Sequence, residues 1–366
     1  MNSKLSCILD LTAANGFDGA ALIPSPNFLW LTGTEKYLME RPTVMLLSND
    51  GRAALVIAGF ELGSMSGVDL PFEAFTYGDD PATWTDAFRK AGAYLGLDGK
   101  KIAVEPIHFR FHEYSMMKEA LPGCEVTGAP SLFAQLRLHK NDDEIANMVR
   151  ASQISTDALE ATLAMVKPGV TERQICSELV NQMMRRGADS NLAFNPVVGS
   201  GPHTADPHHE VSDRELQRGD FLLVDWGARF NGYCADLTRT FVIGEASDKQ
   251  IDIYNTVLAA NRAGLAAVKP GVTAGSLDDA ARKVISDKGY GEYFTHRLGH
   301  GLGLEEHEDP YIFGGNEVLL EKGMVFSDEP GIYIDGWGGV RIEDDVVVTD
   351  DAGKTLSDYG RELRVL

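Results

Sequence analysis

A chain of 366 residues with 44% hydrophobic and 24% charged residues can fill two ordinary cores, and this composition excludes collagen-like, disordered and membrane-embedded classes. Its 54 acidic residues against 33 basic ones give a formal net charge of -21, so the surface repels phosphate backbones and anionic lipid. Neither nucleic acid nor a membrane is an expected partner.

The first residues, MNSKLSCILDLTAANGFDGAALI, carry Asp10 within an apolar stretch and lack a small-residue cleavage signature. They predict an amphipathic helix running into a strand, with no export. No run of about 18 apolar residues, the minimum for a spanning helix, follows anywhere. Cys7, Cys124, Cys176 and Cys234 form no C-x-x-C pair and read as core thiols of a reduced, cytoplasmic protein.

From Leu22 to about Leu136 short apolar runs alternate with helical patterns. LIPSPNFLWLTG, TVMLLSNDGRAALVIAG and KKIAVEP read as strands, with Asn49, Asp50 and Gly51 turning a hairpin between Val44–Leu47 and Ala53–Ile57. PATWTDAFRKAGAYLG and FRFHEYSMMKEALPG read as helices closed by Gly96 and Gly123. This pattern predicts a small α/β domain over residues 1–136. The polar string RLHKNDDE then marks a boundary, and a long helix with Asn141 or Asp142 as its N-cap opens a second domain over residues 137–366.

The second region echoes itself. KPGVTE at Lys167–Glu172 recurs as KPGVTA at Lys269–Ala274, each between helices and followed by a β-hairpin with two carboxylates. FLLVDWGARFNGYCADLTRTFVI carries Asp225 and Asp236, and MVFSDEPGIYIDGWGGVRIEDDVVV carries Glu329 and Glu343. The midpoint of each pair falls inside its turn, so its members sit roughly cross-strand on one sheet face. Four carboxylates converging from two related hairpins cannot all stay ionised in a buried place without cations. Asp225 ends the otherwise apolar run FLLVD, which places it on a buried strand rather than a solvated face.

Histidines concentrate in the same region. For His203 and His209 a structural role and a ligand role are equally open. In FTHRLGHGLGLEEHEDP, by contrast, His296, His300 and His307 interleave with Gly299, Gly301 and Gly303, which lets backbone and substrate approach the imidazoles.

The strings PHH at 207–209, DWG with ADLTRT, HRLGHGLGLEEHEDP, SDEPGIY and GVRIEDD occur together over about Phe194–Val348. In that order they resemble the pita-bread catalytic domain of creatinases, prolidases, aminopeptidases P and methionine aminopeptidases. The first domain is similar to the companion domain of the Xaa-Pro members. The resemblance implies an α+β protein: a duplicated helix-plus-hairpin pita-bread domain behind a smaller creatinase-like α/β domain. It implies that Asp225 binds one metal bidentately, that Asp236 and Glu343 bridge two, and that His300 and Glu329 complete the shells. The implied activity is hydrolysis of the bond before proline by a metal-bridging hydroxide, with Glu329 as general base.

By the same resemblance, His208 and His307 line the pocket and hydrogen-bond the substrate. His296 matches a histidine typical of Xaa-Pro peptidases, and Tyr333 and Arg341 also match family positions. Tyr311 departs from the arginine that many strict dipeptidases carry there, so no carboxylate clamp is evident and longer peptides are admitted beside dipeptides. Two divalent ions are implied, manganese before zinc, with cobalt a common substitute. Proline-containing dipeptides or short peptides are the implied partners, and a homodimer the implied assembly. The alternatives are another hydrolase or lyase reaction on the same scaffold, or a non-catalytic binding module.

Overall fold

Asn2 accepts hydrogen bonds from the N–H groups of Lys4 and Leu5 and so starts helix α1 (Ser3–Ala14) in the computed structural model, which describes residues 2–366. The chain divides into one unit that ends at Arg137 and another that runs from Leu138 to Leu366.

In the first unit, β1 (Gly19–Leu22), β2 (Val44–Ser48), β3 (Ala53–Ala58), β4 (Glu73–Tyr77), β5 (Lys101–Val104) and β6 (Glu125–Gly128) form one mixed sheet in the order β4-β3-β2-β1-β5-β6. The expected β2–β3 hairpin forms, with Gly51 at φ 93° in its turn. Helices α2 (Pro26–Thr32), α3 (Trp84–Leu95), α4 (Phe111–Ala120) and α5 (Pro130–Arg137) complete the unit. The core packs Phe88, Ala91 and Leu95 of α3 against Val44, Leu46, Val56 and Ile102 of the sheet.

One expectation fails. LIPSPNFLWLTG is not a strand: only its leading residue stays in β1, and PNFLWLT is α2. Ser25 accepts from Phe28 N–H, Pro26 takes the first helical position and Gly33 closes the helix at φ 68°. The helix is buried on nearly every side, so its apolar run shows no helical period to read.

The second unit opens with α6 (Asp142–Leu163), capped by Asn141 and Glu144, and α7 (Glu172–Arg185), capped by Thr171 and Gln174. Then come β7 (Val197–Ser200), β8 (Phe221–Trp226), β9 (Arg229–Phe230), β10 (Tyr233–Cys234) and β11 (Leu237–Val242). The second half repeats the plan: α8 (Asp248–Ala267), α9 (Ala274–Asp287), β12 (Gly299–Gly301), β13 (Glu308–Ile312), β14 (Val325–Asp328), β15 (Gly331–Ile334), β16 (Gly338–Arg341), β17 (Asp344–Val348) and β18 (Gly353–Thr355). Strands order as β11-β8-β7 in one sheet and β13-β12-β14-β17-β18 in the other.

The two KPGVT copies fold alike. Gly169 and Gly271, at φ 87° and 83°, donate to Leu216 and Leu320 carbonyls, and Val170 and Val272 accept from the same two residues. Each half has its own core. Leu159, Leu179 and Met183 cover Leu222, Val224 and Phe241, while Val257, Leu277 and Ile285 cover Phe326, Val340 and Val346. Burying each such side chain contributes about 1.5–3 kcal/mol, enough to hold in place strand ends whose own charged groups are costly to bury. Of the cysteines expected in the core, Cys124 and Cys234 are buried, but Cys176 is half-buried and Cys7 exposed, since Cys7 lies on the solvent face of α1.

Candidate active site

Across the first hairpin Trp226 pairs with Leu237 and Phe230 with Tyr233. Position 236 therefore lies opposite Gly227, and Asp236 is the diagonal neighbour of Asp225 on one face. A Cβ at Gly227 would lie 1.8 Å from the Ala235 carbonyl oxygen, so only glycine lets the strands close at this level. Across the second hairpin Asp328 pairs with Asp344 and Gly331 with Arg341, which sets Glu329 and Glu343 directly opposite each other. They sit in a break of the ladder where Pro330 has no N–H to give.

The hairpins meet at an antiparallel bridge between Thr238 and Glu343, with Glu343 N–H donating to the Thr238 carbonyl at 3.1 Å. Thr240 Oγ1 adds two bonds to the Arg341 backbone, at 3.0 and 3.2 Å. Asp236, His300 and Glu343 thereby bring three ligand atoms within 4.8 Å of one another, all on buried residues. His300 Nε2 lies 3.3 Å from Glu329 Oε1 and 3.7 Å from Asp236 Oδ2. Its Nδ1 donates to the Gly301 carbonyl at 3.1 Å, which leaves the Nε2 lone pair facing the acids.

Burial, reinforced by Glu343 and Asp225, drives the Asp236 carboxyl far above its ordinary range. Burial together with Glu329 and Asp225 does the same to Glu343. Burial also lifts Glu329 to about 7 and pushes His300 well down. Asp225 Oδ2 accepts from Arg341 at 2.5 Å, yet its Oδ1 is buried with no hydrogen-bond partner among the described residues. An orphaned carboxylate oxygen beside three converging oxygen and nitrogen ligands fits divalent cations.

Beside the acids a hydrogen-bonded chain runs from Arg341 to two neutral groups. Arg341 donates to the Tyr333 hydroxyl at 2.8 Å, and His296 Nε2 pairs with that hydroxyl at 3.0 Å. Since His296 Nδ1 donates to the Arg297 carbonyl at 2.7 Å, its Nε2 is the acceptor. Burial, with Arg341 nearby, lowers His296 to about 4, and burial raises Tyr333 to about 12, so neither is charged at neutral pH. The His307 ring packs on His300 with centroids 3.8 Å apart.

These groups line one cavity of about 700 Å³, whose walls include Asp225, Asp236, His300, Glu329 and Glu343. His208, His296, His307 and Arg341 line it too, and Tyr333 stands behind them. The architecture is shared with known proteins. Residues 146–350 match the model of metallopeptidase family M24, and residues 4–139 match the creatinase/prolidase N-terminal domain.

The chain belongs to metallopeptidase family M24.

A putative dipeptidase of Bacillus subtilis, YkvY, is 34% identical over 96% of this chain and 96% of its own length. The structure of a dipeptidase from Pyrococcus horikoshii superposes with a TM-score of 0.93 at 36% identity, covering 99% of this chain and 100% of that one. That of a Xaa-Pro dipeptidase from Bacillus anthracis gives 0.91 at 35%, with 99% of each chain covered.

The M24 domain also uses residues that stand inside the motif strings but were given no role from the sequence. Thr238 Oγ1 donates to Glu343 at 2.5 Å and accepts from Arg341 at 3.0 Å, while Ser327 Oγ donates to Glu329 at 3.1 Å. Each stands two residues from an acid, on the same strand face, and the period of two was the signal. Arg297 and Glu306 line the cavity as well. Burial lifts Glu306 to about 7.

His203 and His209 lie apart from this centre. Both pair with Glu172 at 2.9 Å, and Ser200 and Ser212 each add a backbone and a hydroxyl bond to the same carboxylate. Burial alone would raise the Glu172 pKa, but these bonds outweigh it and hold the group at about 2.

Proposed function

We propose that the M24 domain hydrolyses the peptide bond preceding proline in dipeptides and short peptides, with Asp225, Asp236, His300, Glu329 and Glu343 holding two divalent cations. The observation that carries this reading is the convergence of these acids and one imidazole Nε2, together with the orphaned Asp225 oxygen, at the wall of a peptide-sized cavity. The similarity to solved dipeptidases and to a Xaa-Pro dipeptidase supports the substrate class. When bound, such cations supply Lewis acidity, activating water at neutral pH and polarising a carbonyl.

The chain's own groups do the rest. Glu329, steadied by Ser327, is placed to take the proton of the attacking water and return it to the departing proline nitrogen, which must be protonated to leave. His208 and His307 offer ring nitrogens to the scissile carbonyl from the cavity wall. Proline nitrogen in peptide linkage has no hydrogen to donate, so selection rests on ring shape; the locked neutral His296–Tyr333 pair forms a rigid wall for that ring. Arg341, bonded to Asp225, Tyr333 and Thr238, orients all three.

The finer assignments belong to the same proposal. An oxygen-rich set with one imidazole favours manganese over zinc, with cobalt able to substitute. Exposed Tyr37, Met39, Phe60, Ile107 and Phe111 give the first unit an apolar surface suited to homodimerisation. The four free thiols suit a cytoplasmic location. The test is hydrolysis by metal-loaded protein of Ala-Pro, Ala-Pro-Ala and Ala-Ala. Cleavage of the proline peptides alone is expected. Hydrolysis of Ala-Ala at equal rate, or of no peptide, overturns the reading, and sedimentation at micromolar concentration decides the dimer.

A further inference from the structure

Glu172 is fully buried, and the bonds it accepts hold it ionised against the upward push of that burial. Among the described residues no lysine or arginine pairs with it, and its ionisable partners are His203 Nδ1 and His209 Nε2, each 2.9 Å away. Arg214, which reaches Ser200 Oγ, is committed to both oxygens of Asp220. A buried anion is ordinarily paired with a permanent cation, as Asp344 is with Arg239 and Arg361, or it coordinates a metal. Glu172, His203 and His209 offer one carboxylate oxygen and two ring nitrogens within 4.8 Å of one another. Ligands that share one ion at bond lengths of about 2.1 Å stand about 3.0–3.4 Å apart, so a cation enters this cluster with only small shifts. Ser200 and Ser212 each donate an N–H and a hydroxyl to the carboxylate and orient it independently of the imidazoles. The two rings lie 4.4 Å apart and are part-exposed, which gives an ion a way in and leaves room for water as a further ligand.

We propose that Glu172, His203 and His209 form a metal site separate from the active centre, taking zinc in preference to manganese. Two imidazoles with one carboxylate make a nitrogen-rich set that suits zinc, whereas the active centre offers four carboxylates and one imidazole. Without the ion, each ring bonds Glu172 through an N–H. A neutral ring can carry that proton on its other nitrogen instead and present a lone pair, so the ion replaces two hydrogen bonds without altering the charge of either ring. His203 stands in the short 3-10 turn Gly201–Ala205, and His209 directly follows Pro207 and His208 of the cavity wall. The bound ion therefore pins this segment on both sides to the start of α7 and acts on the cavity by positioning, without touching substrate.

The experiment strips the full chain of metal with a chelator, dialyses it against micromolar zinc or manganese, and counts bound metal by elemental analysis in wild type, His203→Gln and His209→Gln. Each variant is expected to bind about one zinc fewer than wild type, with manganese content the same in all three proteins. Equal zinc content in wild type and both variants overturns the proposal, as does an equal loss of manganese. Should a thermal melt show that the variants do not fold, wild-type crystals equilibrated in micromolar zinc decide the matter by anomalous scattering at the zinc edge. A peak between Glu172, His203 and His209 supports the site, and an ordered cluster without one, or filled only at millimolar zinc, overturns it. The count does not depend on peptidase activity, so failure to cleave proline peptides and failure to bind this zinc are separate results.

Discussion

Lys167–Thr171 and Lys269–Thr273 carry the same five residues into the same glycine turn, but Glu172 follows the first copy and Ala274 the second. Ala274 is buried in the core of its half. Glu172 instead ties Ser200, His203, His209 and Ser212 to the start of α7, and so holds both ends of the segment that delivers Pro207 and His208 to the cavity. The hairpins diverge in the same way. The first sets its acids diagonally, through Gly227, whereas the second sets Glu329 and Glu343 face to face. Duplication thus supplies two similar scaffolds, and single side chains at equivalent places assign them different work.

Breaking the shared centre has the largest expected effect. Asp236→Asn removes a charge from the bridge between halves and should lower kcat at least about a thousandfold, with the melting temperature little changed; undiminished turnover would take Asp236 out of the site. Gly227→Ala attacks the first hairpin alone, where the added carbon meets the Ala235 carbonyl, and chemical denaturation should show about 3 kcal/mol lost. Gly336→Ala in the second hairpin meets no atom and bears only the strain of φ 68°, so about 1 kcal/mol is expected. Equal losses would mean that the hairpins are not differently constrained.

Glu172→Gln sharpens the contrast between the copies. The folded pKa of Glu172 lies near 2, below its ordinary value of 4.5, so its ionic stabilisation is fully present above about pH 4.5 and fades as pH falls toward 2. Denaturation from pH 7 to 2 should show wild type ahead by up to about 3 kcal/mol at neutral pH and the difference closing across that window. A constant gap would reassign the latch to packing. Smallest of all, Tyr333→Phe removes the hydroxyl shared by His296 and Arg341 and should raise KM for Ala-Pro by about three- to tenfold. An unchanged KM would leave the His296 wall independent of Arg341.

Much of this was legible in the sequence because it depends on local chemistry. The Asn49–Gly51 hairpin, the Asn141 cap and the acids flanking each turn follow from residue type and spacing. Helix α2 was misread because a fully buried helix and a buried strand present the same apolar run. Thr238 and Ser327 were within reach of the strand period and stand inside the ADLTRT and SDEPGIY strings, but a neutral hydroxyl gives no ligand signal of its own, and the Glu172 cluster draws partners up to 40 residues away.

By itself the sequence determined which groups could do chemistry: the glycines that permit close strands, the duplicated turn, and the acids and imidazoles at hairpin positions. Only the tertiary structure decided which of them meet. The bridge from Thr238 to Glu343 joins residues that propensity and period cannot relate, and it turns two pairs of acids into one centre. Pairing across a hairpin is set by a short register, but contact between hairpins is set by the packing of two separate helical layers, and that information is spread over the whole domain.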